Sequence, residues 1–363
     1  MSDRLFLVES DGKGLRAALL DNRRLQAIEI DRSAHPNPVG SIQSAKIVRT
    51  VKGLGTFVRL FDESQMLLEA GRTKTLPESG DTLTVQIARA SRGGKLGVAT
   101  RNVSLSGRGV VHLPFESGVS ISRRLDAGIE LRASLEALLD GKAGGWIVRR
   151  NAASLERTDL EAEIASLAEE GDAVRMEAPN LSGPDAFRRL ACDSAVAAPD
   201  RIMAAGLAAR RSAERWCHNY APSLTARIEN AESGLFDLHD LDNEIAALAD
   251  RQVVLPGGGS LSIDHTEALT AIDVNAGAES DIASVNLAAA AEIARQLRLR
   301  HIGGIIVIDF ISLPRPRDRD RTVDVLKAAV ADDSAQTHIL PMSAFGLVEM
   351  TRERRGPGLE FDT

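Results

Sequence analysis

The chain is poor in cysteine and aromatic residues. Among 363 residues there are only Cys192 and Cys217, one tyrosine, two tryptophans and nine phenylalanines. Two distant cysteines exclude a disulfide framework and the close-spaced thiol pairs of a zinc site, so both thiols are expected to be structural. No apolar run approaches the roughly 18 residues needed to span a bilayer. The N-terminus, Met-Ser-Asp-Arg-Leu-Phe-Leu-Val-Glu-Ser, is charged and quickly alternating, unlike a secretory leader. The expectation is a cytoplasmic protein, long enough for two or three domains and, at 44% hydrophobic residues, ordinary for a globular one.

A strong surplus of basic charge is also missing. The net charge is -7, which at first argues against a nucleic-acid partner, but the total hides its distribution. Residues 151–200 carry eleven acids against four basic residues, whereas residues 36–105 carry ten basic residues against five acids. The local basic excess suits either a phosphate-rich partner or ordinary solvated surface.

Two acidic side chains stand where strand-forming sequence should have none: Asp273 in Ala-Leu-Thr-Ala-Ile-Asp-Val-Asn and Asp309 in Gly-Gly-Ile-Ile-Val-Ile-Asp-Phe-Ile. A carboxylate drawn into apolar surroundings costs several kcal/mol unless a cation or hydrogen-bond donors compensate it. Two of them ending two apolar strands suggest a divalent cation. Magnesium fits, because it is typically held by one or two carboxylates and takes further oxygens from water and substrate phosphate; manganese is the alternative ion. The competing reading is that each aspartate merely caps a turn.

Short alternating runs at Ala45-Lys-Ile-Val-Arg-Thr-Val, Gly55-Thr-Phe-Val-Arg-Leu-Phe and Asp81-Thr-Leu-Thr-Val-Gln-Ile predict a small β-barrel. A basic, glycine-containing turn around Arg92 and Lys95 joins two of its strands. Farther on, Ser120-Ile-Ser-Arg-Arg and Gly145-Trp-Ile-Val-Arg-Arg read as two apolar strands, each ending in paired arginines. The spacing of Leu160, Ile164 and Leu167 predicts a helix with one buried stripe. Residues 199–250 read as helical, with few strand signals. From Leu255 onward the pattern is strand, strand, helix, strand, helix, strand, with helical stripes at Ile282, Val285, Ala289, Ile293 and Leu297 and at Val323, Leu326 and Val330, which indicates a layered α/β domain.

The motifs Gly257-Gly-Gly-Ser-Leu-Ser-Ile-Asp-His through Ala-Ile-Asp273-Val-Asn275, then Ala291-Glu-Ile-Ala-Arg-Gln-Leu-Arg-Leu-Arg, Gly303-Gly-Ile-Ile-Val-Ile-Asp309-Phe-Ile and Phe345-Gly-Leu-Val-Glu-Met-Thr-Arg resemble the catalytic region of the ribonuclease E/G family. The resemblance implies an α/β multi-domain fold. An RNase H-like subdomain (1–35 and 190–248) would be split by an S1-like β-barrel (36–105) and a 5′-sensor region (106–189), and followed by a DNase I-like catalytic domain (249–363). It also implies a magnesium-dependent endoribonuclease that cuts single-stranded, AU-rich RNA to leave 5′-phosphate and 3′-hydroxyl ends, in rRNA maturation or mRNA decay.

Carried over residue by residue, Asp273 and Asp309 match the family's metal-binding aspartates and Asn275 the asparagine beside the scissile phosphate. Gly107, Val111 and Arg149 match the sensor for a 5′-monophosphate, with Arg150 where the family usually has threonine. Phe57 matches a base-stacking aromatic, although the residue also suits a core position. Arg89 and Lys95 match RNA-contacting positions, and Arg123 and Arg124 join them as RNA-binding candidates.

This sequence departs from the family pattern in several places. Met66 stands approximately where a second stacking phenylalanine is expected, the loop after Asn275 is short, and Ser312 and Ala344 replace an aspartate and an arginine. These changes imply a weakened RNA path around an intact catalytic pair. The chain reaches Thr363 without the cysteine pair of a zinc link or the degradosome scaffold of longer relatives, so no zinc is expected. A homodimer through the catalytic domain stays open, as does the alternative of a catalytically weak, RNA-binding relative.

Overall fold

The computed structural model describes residues 3–10, 12–31, 38–52, 54–69, 78–91, 95–122, 125, 128–176, 179–193, 198–277, 281–331 and 333–354. The protein is mixed α/β and divides into two compact units: Met1–Arg23 with Ile28–Leu235, and Arg24–Ala27 with Phe236–Thr363.

A five-stranded sheet has the order Ile228–Ala231, Arg201–Ala205, Arg4–Ser10, Leu15–Asp21, Arg24–Ile30. Arg4–Ser10 pairs in parallel with Arg201–Ala205, which pairs in parallel with Ile228–Ala231 across the helix Leu207–Tyr220. These two strands correct the helical reading of residues 199–250. Each is only four or five residues long, and Arg201–Ala205 takes its partner Arg4–Ser10 from the start of the chain.

Strands Ile42–Val51, Gly55–Arg59, Gln65–Leu68, Gly97–Thr100 and Thr82–Arg89 close into a five-stranded barrel, because the first also pairs with the last. The barrel is filled by Ala45, Ile47, Val58, Leu60, Met66, Leu68, Val85, Ile87 and Ala99. Period-2 alternation accounts for this filling: inward residues are apolar, and Lys46, Arg59 and Arg89 point to solvent.

Beyond the barrel, Leu105–Ser106, Val110–Leu113, Gly145–Val148 and Gly118–Ile121 form a four-stranded sheet, followed by the long helix Arg157–Arg175. Its buried stripe contains the expected Leu160, Ile164 and Leu167.

The second unit is built on a six-stranded sheet ordered Gln252–Val254, Ser260–His265, Thr270–Asn275, Gly304–Asp309, Leu347–Arg352, Thr337–Ile339. Ile272, Val274, Ile306, Ile308, Val348 and Met350 share one core with Val285, Ala289, Ile293 and Leu297 of the helix Ile282–Leu299 and with Val323 and Leu326 of Pro316–Ala329. The helix starts have local causes: Asp281 accepts a hydrogen bond from the Ser284 N–H at 3.0 Å, and Pro316 opens the other helix. Among the described residues no helix is long and apolar enough to cross a membrane.

Candidate active site

Strands Thr270–Asn275 and Gly304–Asp309 run parallel, and their register sets Asp273 directly beside Asp309. Ile272, Val274, Ile306 and Ile308 face the helices, so the alternate residues Asp273, Asn275 and Asp309 emerge on the opposite, open face and are exposed. The expectation of carboxylates buried among apolar residues is therefore corrected. The strands look uniformly apolar because Ala271, Ile305 and Val307 also occupy the open face, with Ile305 53% exposed. The solvent-facing side of a sheet keeps its acids hydrated.

The unusual feature of the pair is adjacency rather than burial. Neighbouring strands lie about 4.8 Å apart, and like charges directly opposite each other are destabilising. Among the described residues neither Asp273 nor Asp309 takes part in an ion pair. Asn275 is bound to one member of the pair: its Nδ2 donates to Asp273 Oδ2 at 2.8 Å. Ser262 and Leu347 flank the row on the outer strands. Among the described residues no group of three or more histidine, cysteine, aspartate or glutamate side chains could hold a metal. Two adjacent carboxylates and one amide make an oxygen-donor set, which suits a hard, largely hydrated divalent cation such as magnesium and does not suit zinc.

Two glycines shape the borders of this site. A Cβ on Gly259, whose φ is +88°, would lie 2.5 Å from the Asn275 carbonyl oxygen, and one on Gly346 (φ +92°) would lie 2.6 Å from that of Phe310. Asn286 was not anticipated from sequence. It is fully buried on the helix Ile282–Leu299, donates from Nδ2 to the Ile311 carbonyl at 2.7 Å, and accepts from the Ile311 N–H at 3.2 Å. It thereby fixes the chain just after Asp309. Its signal was a polar residue within the helix's buried stripe, next to Val285.

The 5′-sensor candidates lie in the first unit. The loop from Gly107 to Val110 is held from two sides. Buried Glu163 accepts from the backbone N–H groups of Arg108 at 2.9 Å, Gly109 at 2.9 Å and Val110 at 2.8 Å. From the other side, the Arg149 guanidinium donates to the Gly107 carbonyl at 2.8 Å, the Cys192 carbonyl at 3.1 Å and Ser106 Oγ at 3.1 Å. Burial pushes the Glu163 carboxyl up, opposed by the three N–H groups and by the positive charge of Arg108. Val111 is buried in its strand, and Arg150 is exposed at the start of a 3-10 turn.

On the barrel, Phe57 is half-buried and faces outward with Arg49 over its ring at 5.1 Å, outside the barrel core. Arg89 and Lys95 are exposed. Arg123 and Arg124 lie outside the described residues. Met66 corrects the expectation of a lost outward stacking position: it pairs with Val58 and points into the barrel core. An aromatic does remain outside, since Phe61 is 84% exposed at the turn after Gly55–Arg59. Its signal was the alternation that turns 57, 59 and 61 outward.

The profile of the Ribonuclease E/G family matches residues 104–355. The chain is 31% identical to ribonuclease G of Escherichia coli strain K12 over 98% of this chain and 81% of that protein. It is 28% identical to ribonuclease G of Haemophilus influenzae over 95% of this chain and 78% of that protein. To ribonuclease E of Escherichia coli K12 it is 31% identical over 98% of this chain but only 37% of the longer relative. The aspartate pair lies within the matched region, and the chain belongs to the ribonuclease E/G family.

Proposed function

We propose that this chain, an endoribonuclease by its family, hydrolyses single-stranded, AU-rich RNA at Asp273 and Asp309 with magnesium, and favours substrates carrying a 5′-monophosphate. The observation that carries this reading is the register that sets two exposed carboxylates side by side, neither of them in an ion pair among the described residues. Asp273 and Asp309 would hold the magnesium ion, which when bound would supply charge stabilisation at the phosphodiester and favour ionisation of a water nucleophile. Asn275, oriented by its hydrogen bond to Asp273, positions the scissile phosphate. Asn286 keeps the backbone after Asp309 in place.

The intact pair favours this enzyme over a catalytically weak binding module. In the proposed arrangement residues 36–105 act as the S1-like barrel, 106–189 as the 5′-sensor, 1–35 with 190–248 as the RNase H-like part, and 249–363 as the DNase I-like catalytic part. We place the activity in cytoplasmic RNA processing and turnover, either rRNA maturation or mRNA decay, with a homodimer through the catalytic part as a testable assembly.

Metal removal tests the reading directly. Treatment with a chelator is expected to abolish cleavage of an AU-rich oligonucleotide, and magnesium or manganese to restore it; undiminished cleavage in excess chelator would contradict it. The sensor assignment is tested by Arg149→Ala. The expected result is loss of the preference for a 5′-monophosphate over a 5′-hydroxyl. If thermal stability falls while that preference stays, Arg149 only braces the loop.

A further inference from the structure

The turn from Ser343 to Gly346 leads into the strand that pairs with Asp309. Phe345 is 82% exposed, although a phenylalanine ring normally contributes more when buried. Its backbone nevertheless lies in a hydrogen-bonded turn. Ser343 Oγ accepts from the N–H groups of Phe345 at 3.3 Å and Leu347 at 3.2 Å, and the Ser343 carbonyl accepts from the Gly346 N–H at 3.1 Å. The Gly346 carbonyl in turn accepts from the Phe310 N–H at 3.2 Å, which ties the turn to the residue following Asp309. Leu347 pairs with Asp309 across the sheet, so Phe345 stands two residues from the position opposite the aspartate, at most about 7 Å along the chain.

We propose that Phe345 is a stacking platform for one nucleobase next to the phosphodiester that is cut. This rests on the reading of Asp273 and Asp309 as the hydrolytic site. The surroundings of the ring favour a base. The ring stands exposed on a turn whose backbone is hydrogen-bonded to the residue after the strand that ends in Asp309. The adjacent carboxylates, once joined by a cation, attract the phosphate to which such a base is attached. An aromatic face accepts any base, and stacking aligns the nucleotide without sequence readout. Phe345 would therefore set which phosphate enters the site rather than which sequence binds.

The probes are single-stranded, 5′-monophosphorylated oligoribonucleotides with one cleavage site, in versions lacking the base at each of the two positions on either side of the cut. The wild type is expected to lose about tenfold in kcat/KM at one abasic position. Phe345→Leu should lose a similar factor on intact RNA and lose nothing further at that abasic position, while Phe345→Trp keeps wild-type behaviour. Independent, multiplicative losses, or a Phe345→Leu enzyme equal to wild type, would overturn the proposal. So would a change of oligomeric state in Phe345→Leu with the abasic response unchanged, since the ring would then pack against a second copy. If the wild type cuts and Asp309→Asn does not, but Phe345→Leu behaves as wild type, only the platform falls. If the wild type makes no cut, the hydrolytic reading falls and the platform with it.

Discussion

Asp273→Asn and Asp309→Asn are each expected to lower kcat by at least about a hundred- to a thousandfold, because on the proposed reading each removes half of the charge that would hold the cation where negative charge develops. The same substitutions should leave folding intact. In the absence of a divalent ion they should raise stability slightly, by about 0.2–1 kcal/mol, since two like charges directly opposed on neighbouring strands repel. That combination distinguishes a functional pair from a structural one. An aspartate that only capped a turn would lose stability on substitution and affect activity only through unfolding. Measuring kcat at saturating magnesium together with thermal unfolding in chelator separates the two, and a destabilised variant that retains wild-type kcat would refute the assignment.

Glu163→Ala is expected to have the largest effect on stability, a loss of about 3–5 kcal/mol. The wild-type carboxylate satisfies three buried N–H groups at once, those of Arg108, Gly109 and Val110, and its charge offsets that of the buried Arg108 guanidinium. Removing it leaves each donor without an acceptor, at about 1–3 kcal/mol for a buried group. Glu163→Gln should cost less. Its carbonyl can still serve Gly109 and Val110, which share Oε1, but its amide then meets the Arg108 N–H donor to donor. Denaturant unfolding of both variants checks the order, and a Glu163→Gln variant as unstable as Glu163→Ala would contradict it. The loop being held is the one assigned to the 5′-phosphate, so both variants should also blunt the response to a 5′-monophosphate.

The architecture of the second unit was largely legible, because its strands and helices carry strong, uninterrupted periodicity. Val285, Ala289, Ile293 and Leu297 fall on one face at helical spacing, and the structure buries them. Arg201–Ala205 and Ile228–Ala231 were not legible, since pairing with Arg4–Ser10 and with each other, rather than local propensity, makes them strands. The two aspartates do end neighbouring strands, but not in the apolar surroundings that the sequence suggests. Both strands read as apolar, but the open face carries apolar residues too, and only the register reveals that the carboxylates are neighbours in water. Asn286 and Glu163 share a signal that could have exposed them: each is a polar residue at a buried-stripe position of an amphipathic helix, where it must find partners. The barrel shows the opposite error. By sequence position Met66 reads as a lost contact, yet its pairing with Val58 makes it core and leaves Phe61 outside.

The most direct test of a two-aspartate, metal-dependent hydrolysis is the chemistry of the ends it leaves. An oligoribonucleotide cut by the wild-type chain in magnesium should yield a 5′-phosphate on one fragment and a 3′-hydroxyl on the other, with neither product formed by Asp309→Asn. Fragments ending in a 2′,3′-cyclic phosphate, formed equally by wild type and Asp309→Asn in chelator, would mean that the RNA's own 2′-hydroxyl is the nucleophile and that the pair does not catalyse the reaction.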